Sequence, residues 1–264
     1  LKFQLGLVGG GIMGEAILSR LVASNSYLPF DICVSDPMPE RRDLLAKKYG
    51  VQVTPNNLVA AEAEIMLLAV KPQSLNAAAI GLADSPAPCV VSILAGVTLA
   101  QLEAVFPSKA IIRAMPNTPA QVGAGVTAIA ANTLATGEHL RLARKIFSAV
   151  GTVVEVAESL MNAVTGLSGS GPAYVAVMIE AMADGGVAAG LPRAIALQLA
   201  TQTVLGTAQL VIATKLHPAQ LKDQVTSPAG TTIAAIAQLE KAGLRSAMIE
   251  AVLAATRRAD ELGK

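Results

Sequence analysis

Gly9-Gly10-Gly11-Ile12-Met13-Gly14 is the stretch from which the rest of the chain can be read. Its glycines fall as Gly-x-Gly-x-x-Gly, directly behind the strand-like run Phe3–Val8 and at the head of Met13–Ser24, whose apolar residues have helical spacing. In that context each glycine has a separate task. Gly9 permits the tight turn, Gly11 lets the backbone approach a pyrophosphate, and Gly14 lets helix and strand pack closely. The amides and dipole at the helix start favour the anion. The turn therefore predicts a dinucleotide site.

Outward from the turn, short apolar runs alternate with helical patterns as far as about Val156. The expected strands are Phe3–Val8, Asp31–Ser35, Val51–Val53, Ile65–Ala69, Cys89–Ile93, Ala110–Ala114, Val126–Ala130 and Thr152–Val156, with helices at Met13–Ser24, Glu40–Tyr49 and His139–Val150. Runs that are apolar throughout belong to a parallel sheet covered on both faces. Residues 1–158 are thus expected to form a Rossmann-type, doubly wound α/β domain. After Glu158 the alternation stops and Ala-rich helical stretches take over, with Pro172, Pro192, Pro218 and Pro228 each standing where a helix could begin. Residues 159–264 are expected to be an all-helical domain.

Within that second domain, Ala194–Thr214 carries no charge and is long enough to span a bilayer as a helix. Gln198, Gln202, Gln209 and several threonines argue against lipid. Burial by a second subunit accounts better for a helix apolar on all faces, so the domain is expected to form a homodimer. No membrane partner is expected.

The 264 residues carry 20 Lys and Arg against 19 Asp and Glu, for a net charge of +1, and only 3% are aromatic. Neither charge nor stacking surface points to nucleic acid as the main partner. Cys33 and Cys89 lie in apolar runs with no Cys or His at ligand spacing, and are expected as core thiols with no metal site. The N-terminal run lacks a basic region ahead of a long apolar segment, so no export signal and a cytoplasmic location are expected.

The second strand ends at Ser35-Asp36, where the adenosine ribose belongs. A carboxylate there accepts from ribose hydroxyls and repels a 2′-phosphate, so Asp36 points to NAD. Ser35 could donate to a phosphate, and Arg41 and Arg42 stand a turn away, either as further phosphate contacts or as a solvated helix face. Cofactor preference stays open on these residues.

Four further motifs stand behind the turn: Ala69-Val70-Lys71-Pro72, Met115-Pro116-Asn117-Thr118-Pro119, the run Thr165 to Tyr174 (TGLSGSGPAY), and the run Val225 to Thr232 (VTSPAGTT). In that order they closely resemble pyrroline-5-carboxylate reductase, over essentially the whole chain. The last two motifs are the specific ones. The resemblance implies that NAD(P)H delivers hydride to the C=N carbon of L-1-pyrroline-5-carboxylate, giving L-proline in the last step of proline biosynthesis. It implies interlocked helical domains of two subunits, with rings of dimers in many members. By the same likeness Ser35, Asn57, Val70, Lys71 and Ala95 border the cofactor, while Glu158, Thr231 and Thr232 surround the substrate. The candidate cofactor set is then Gly9, Gly11, Ile12, Met13, Gly14, Ser35, Asn57, Val70, Lys71, Pro72 and Ala95. NADPH is preferred by resemblance and NADH remains possible, because Asp36 replaces a small or basic residue of many NADPH-preferring members.

Read without the family, Ser227–Thr232 is a polar loop beginning a helix at about Thr231. Its free amides and hydroxyls suit a substrate carboxylate, with a plain helix cap by Ser227 or Thr231 as the alternative. With Glu158 added from the resemblance, the candidate substrate set is Glu158, Ser227, Gly230, Thr231 and Thr232. Gly169-Ser170-Gly171-Pro172 is either a contact with substrate or a place where helices pack closely. Reduction of a protonated imine needs no buried base, only correct placement beside the nicotinamide. Thr232 is the catalytic candidate, its hydroxyl bonding the ring nitrogen; His139 and His217 are left outside the chemistry.

Two other readings compete. A 3-hydroxyacid dehydrogenase needs a base to remove a hydroxyl proton, and members of that family carry a lysine on the helix after the glycine turn. Here Ala173 to Glu180 contains none. A non-catalytic module binding a pyridine nucleotide or pyridoxal phosphate is the other reading, and nothing missing from the site favours it.

Overall fold

The alternation in the sequence becomes, in the computed structural model, one eight-stranded sheet in the order β3-β2-β1-β4-β5-β6-β7-β8. The structure describes residues 2–263; positions 1 and 264, the outer ends of the two expected domain ranges, lie outside the described residues. The strands are β1 Phe3–Val8, β2 Ile32–Ser35, β3 Gln52–Thr54, β4 Ala63–Leu68, β5 Cys89–Ser92, β6 Ala110–Met115, β7 Gly125–Ala131 and β8 Gly151–Glu155. Between them lie α1 Ile12–Ala23, α2 Pro39–Tyr49, α3 Asn57–Ala60, α4 Leu75–Ala78, α5 Leu99–Val105 and α6 Gly137–Ser148. All eight expected strands are present, shifted by a residue or two at their ends.

The sheet interior explains why these runs read as apolar throughout. Leu67 packs with Leu7, Val34, Ile17 and Phe147 on one face, whereas its neighbours Met66 and Leu68 pack with Leu75, Leu102 and Phe106 on the other. Successive side chains point to opposite layers, and helices cover both. The chain turns from one side of the sheet to the other between β1 and β4, which opens a crevice over their carboxyl ends.

One expectation needs correction. The sheet is not wholly parallel, since β7 runs antiparallel to β6, with Ile112 opposite Ala131. Only residues 116–124 connect the two strands, and they form a 3-10 turn at Thr118–Val122. A parallel return needs a crossover of a dozen or more residues, so this link permits only reversal.

After β8 the chain is helical: α7 Met161–Val164, a π-helical turn at Thr165–Gly169, α8 Gly171–Ala188, α9 Arg193–Thr214, α10 Pro218–Gln224, α11 Thr231–Lys241 and α12 Leu244–Leu262. Two compact units result, one running to Ser170 and resuming at Ala254, the other Gly171–Leu253. The first unit continues beyond the expected boundary at 158/159 because Met161 and Val164 pack on β7 through Ala128 and Ala130. Pro172 and Pro218 occupy first turns and Pro192 is an N-cap, whereas Pro228 lies in the turn before Gly230, the N-cap of α11.

The second unit has little interior of its own. Ala183 of α8 and Ala196 and Ala200 of α9 form its buried cluster. Along α9, Ile195, Leu199, Leu205 and Ile212 are 47%, 53%, 49% and 76% exposed. Among the described residues α9 alone is long and apolar enough to cross a membrane by length and composition.

Candidate functional site

The glycine turn is built as its residues require. Gly9 has φ of +101°, and a Cβ there would stand 2.8 Å from the Ala69 carbonyl; one on Gly14 would stand 2.4 Å from the Gly9 carbonyl oxygen. Around the corresponding point on Gly11 there is nothing within 4 Å. Two glycines are therefore demanded by packing and the third leaves a face open to a ligand. Gly11 is the N-cap of α1 and no side chain caps the helix, so the first amides, Ile12 and Met13 among them, are left for an anion.

Beside the turn lies a recess of about 480 Å³ lined by Gly9, Gly11, Ser35, Asp36, Met38, Asn57, Val70 and Lys71, among others. It gathers six of the eleven expected cofactor residues. Ile12, Met13 and Gly14 follow directly in α1, with the Ile12 side chain 79% exposed. Pro72 continues from Lys71 into a 3-10 turn, and Ala95 sits in the exposed loop after β5; neither lines the recess. Lys71 is exposed and has no ion-pair partner among the described residues.

Two expectations change around the end of β2, one at Ser35 and one at the arginines that follow. The Ser35 hydroxyl is fully buried without a protein partner, so it is not presented to a phosphate in this geometry. The Asp36 carboxylate lines the recess, where Oδ2 accepts from the Gly10 amide at 2.9 Å and Oδ1 from the Met38 amide at 3.0 Å. Nor are the arginines a solvated face. Arg42 donates to the carbonyls of Asp36 and Pro37 at 2.7 and 2.9 Å, and Arg41 to those of Gly10 and Gly11.

Glu158 belongs to the first unit. Its Oε1 accepts from the Leu99 amide at the start of α5, at 2.5 Å, and pairs at 3.3 Å with Arg113, a guanidinium buried on β6. Ser227, Gly230, Thr231 and Thr232 belong to the second unit and lie together at the head of α11. Gly230 is its N-cap, donating to the Ser227 carbonyl at 3.1 Å, and a Cβ there would fall 2.3 Å from the Ser227 hydroxyl oxygen. Ala229, held at φ of +53°, makes the turn tighter still. No side chain caps this helix, so neither Ser227 nor Thr231 is the cap that the sequence allowed. The first amides of α11 and the half-buried Thr232 hydroxyl have no hydrogen bond to the protein among the described residues.

Several residues gain roles that the sequence did not announce. Asn117 is buried in the Met-Pro-Asn motif, accepting from the Val126 amide at 2.9 Å and donating at 3.1 Å to the Ser168 carbonyl. It thereby ties the π-helical turn to β7. Gly169 serves packing there, since a Cβ would meet the Met115 methyl at 2.8 Å. Both histidines cap helices, with His139 Nδ1 accepting from the Thr136 amide and His217 Nδ1 from the Ala219 amide. Burial raises the thiol pKa of Cys33 to about 11 and that of Cys89 to about 12, as expected of inert core thiols.

Known proteins fit this layout. Residues 158–262 match the family model described as pyrroline-5-carboxylate reductase dimerisation, and residues 4–96 match one described as NADP oxidoreductase coenzyme F420-dependent. The pyrroline-5-carboxylate reductase of Synechocystis is 62% identical, over the full length of both chains. The solved structure of a pyrroline-5-carboxylate reductase from Coxiella burnetii superposes with a TM-score of 0.94 at 38% identity, covering 100% of each chain. The pyrroline carboxylate reductase of Plasmodium falciparum, solved with NADP bound, superposes with a TM-score of 0.87 at 28% identity, covering 99% of this chain and 98% of that one. Identity along the whole sequence and superposition along the whole fold settle the family: this chain belongs to the pyrroline-5-carboxylate reductases, oxidoreductases that reduce L-1-pyrroline-5-carboxylate to L-proline.

Proposed function

We propose that this protein reduces L-1-pyrroline-5-carboxylate to L-proline with NADPH, using the glycine turn for the cofactor and the loop Ser227–Thr232 for the substrate. The observation that carries the cofactor half is the contrast at Gly9, Gly11 and Gly14, where only Gly11 faces open space. When bound, NADPH supplies the hydride. The amides of Ile12 and Met13 hold its pyrophosphate, and Asn57, Val70 and Lys71 border it along the recess.

At the head of α11 the free amides of the first turn and the Ser227 hydroxyl seat the substrate carboxylate. The Thr232 hydroxyl bonds the ring nitrogen of the substrate. No residue is needed to remove a proton from carbon, so placement supplies most of the catalysis. Preference for NADPH is supported by the family and by the Plasmodium falciparum relative solved with NADP bound, whereas Asp36, which lines the recess and keeps acceptor capacity beyond its two amide contacts, is the residue that opposes it.

The helical unit forms a homodimer. Along α9, side chains about half exposed would each gain roughly 1 kcal/mol or more on full burial, and together that rivals the stability of a small domain. The match to the dimerisation model over residues 158–262 supports a second copy as the cover, and assembly into rings of dimers in the cytoplasm completes the proposal.

Initial rates of NADPH and NADH oxidation with pyrroline-5-carboxylate test the function, with NAD(P)-dependent oxidation of 3-hydroxyacids as the control. Proline formation, faster with NADPH, is expected. Oxidation of 3-hydroxyacids without proline formation would overturn the assignment.

A further inference from the structure

In Gly-x-Gly-x-x-Gly the second position is unconstrained, yet in this chain Gly10 is held on three sides. Its amide donates to Asp36 Oδ2 at 2.9 Å, its carbonyl accepts from Arg41 Nε, and a Cβ on it would meet the Leu45 side chain at 2.6 Å. Arg41 also reaches the Gly11 carbonyl through Nη2 at 3.4 Å. The same Nη2 pairs with Glu15 at 2.5 Å, and Glu15 in turn accepts from Lys48 Nζ at 2.9 Å and from the Tyr49 hydroxyl at 2.8 Å. Three side chains of α2 thus converge on the first turn of α1, and one of them holds the carbonyls of the cofactor turn.

A peptide whose carbonyl is fixed has its neighbouring amides fixed in direction too, because the peptide plane is rigid. Arg41 lines a recess with Ile12, Glu15, Lys48 and Tyr49, a different one from the recess that holds Gly9, Gly11 and Asp36. Its Nε and Nη2 donate to backbone carbonyls and to Glu15, and its side chain is only 24% exposed. An arginine just past the second strand would ordinarily be assigned to a 2′-phosphate; here its geometry serves something else.

We propose that Arg41, held by Glu15, is a positioning residue for the cofactor turn: it fixes the Gly10 and Gly11 carbonyls so that the turn's amides stay aimed at the pyrophosphate, and it does not touch the 2′-phosphate. The inference rests on the reading of the turn as the NADPH site. It predicts that the residue contributes equally to both cofactors, since pyrophosphate is common to them and the 2′-phosphate is not.

Fluorescence titration of NADPH and NADH against Arg41→Gln and Glu15→Gln, with steady-state kinetics on the same samples, tests it. Arg41→Gln should raise Kd and KM for both cofactors by the same factor, about tenfold, for the loss of charge-assisted hydrogen bonds. The kcat and the KM for pyrroline-5-carboxylate should stay within about twofold of wild type. Glu15→Gln should show the same pattern at about threefold, and it decides the matter if Arg41→Gln does not fold. A loss confined to NADPH, unchanged Kd for both cofactors, or a fall in kcat with KM unchanged would each overturn the proposal. Binding is read without substrate, so failure of this brace and failure of wild type to make proline are separate results.

Discussion

The two units of this chain solve the burial problem in opposite ways. Every residue of β2 and β5 is buried, and Ile17, Leu18 and Leu21 of α1 are fully buried beneath the same sheet. In α9 only Ala196 and Ala200 are buried, and in α11 no residue is. The α/β unit closes its core within one chain, whereas the helical unit presents leucines and isoleucines that only another surface can cover. On the proposed reading, the cofactor site depends on the fold of one chain, and the proposed substrate loop at the head of α11 sits in a unit stabilised by association.

That contrast breaks most visibly at Leu205. Leu205→Glu puts a charge into the proposed interface, where a desolvated unpaired carboxylate costs several kcal/mol, so the dimer should weaken by roughly a hundredfold or more. Sedimentation should show monomer and turnover should vanish, while NADPH titration still detects a cofactor site. A variant that stays dimeric and active removes α9 from the interface.

Gly14→Ala makes the opposite cut. The added methyl meets the Gly9 carbonyl oxygen at 2.4 Å, backbone that cannot swing aside, and cofactor binding should fall by roughly a hundredfold or more. The dimer should persist in sedimentation. Retained NADPH binding would mean that the turn does not hold the pyrophosphate.

Thr232→Ala sharpens the comparison at the loop. Loss of one or two aligned hydrogen bonds should lower turnover by roughly tenfold to a hundredfold, with NADPH affinity unchanged. Wild-type kinetics would take Thr232 out of the site.

The sequence made the first unit legible because burial on both faces writes itself as unbroken apolar runs: Cys89–Ser92 and Ala110–Met115 could be placed within a residue or two. It did not show that β7 reverses, since Gly125–Ala131 is as apolar as its parallel neighbours and only the short link from Pro116 to Ala124 decides direction. The π-helical turn at Thr165–Gly169 left no trace either, because its register depends on Asn117, far away in sequence, taking the Ser168 carbonyl. In the site, the glycines and the head of α11 were readable from local chemistry. The contact of Asp36 with the Gly10 amide and the grip of Arg41 were not, as both are long-range side-chain contacts to backbone.

The smallest expected effect concerns acid stability of the α1–α2 contact. Burial opposes the charge on Glu15, but hydrogen bonds from Lys48, Tyr49 and Arg41 outweigh it and lower its pKa from 4.5 to about 2. A depressed carboxylate pKa stabilises the fold fully above the unfolded value, and that contribution is lost as pH falls from 4.5 toward about 2. Melting temperatures of wild type and Glu15→Gln should therefore converge over this range. A difference independent of pH would show that the pair contributes by packing alone.

The most direct measurement is the fate of the transferred hydrogen. NADPH deuterated at the reactive C4 position, incubated with the enzyme and pyrroline-5-carboxylate, should yield proline carrying a single deuterium at the former imine carbon, as read by mass spectrometry. Proline without label, or no proline, contradicts hydride delivery from a cofactor held at Gly9–Gly14.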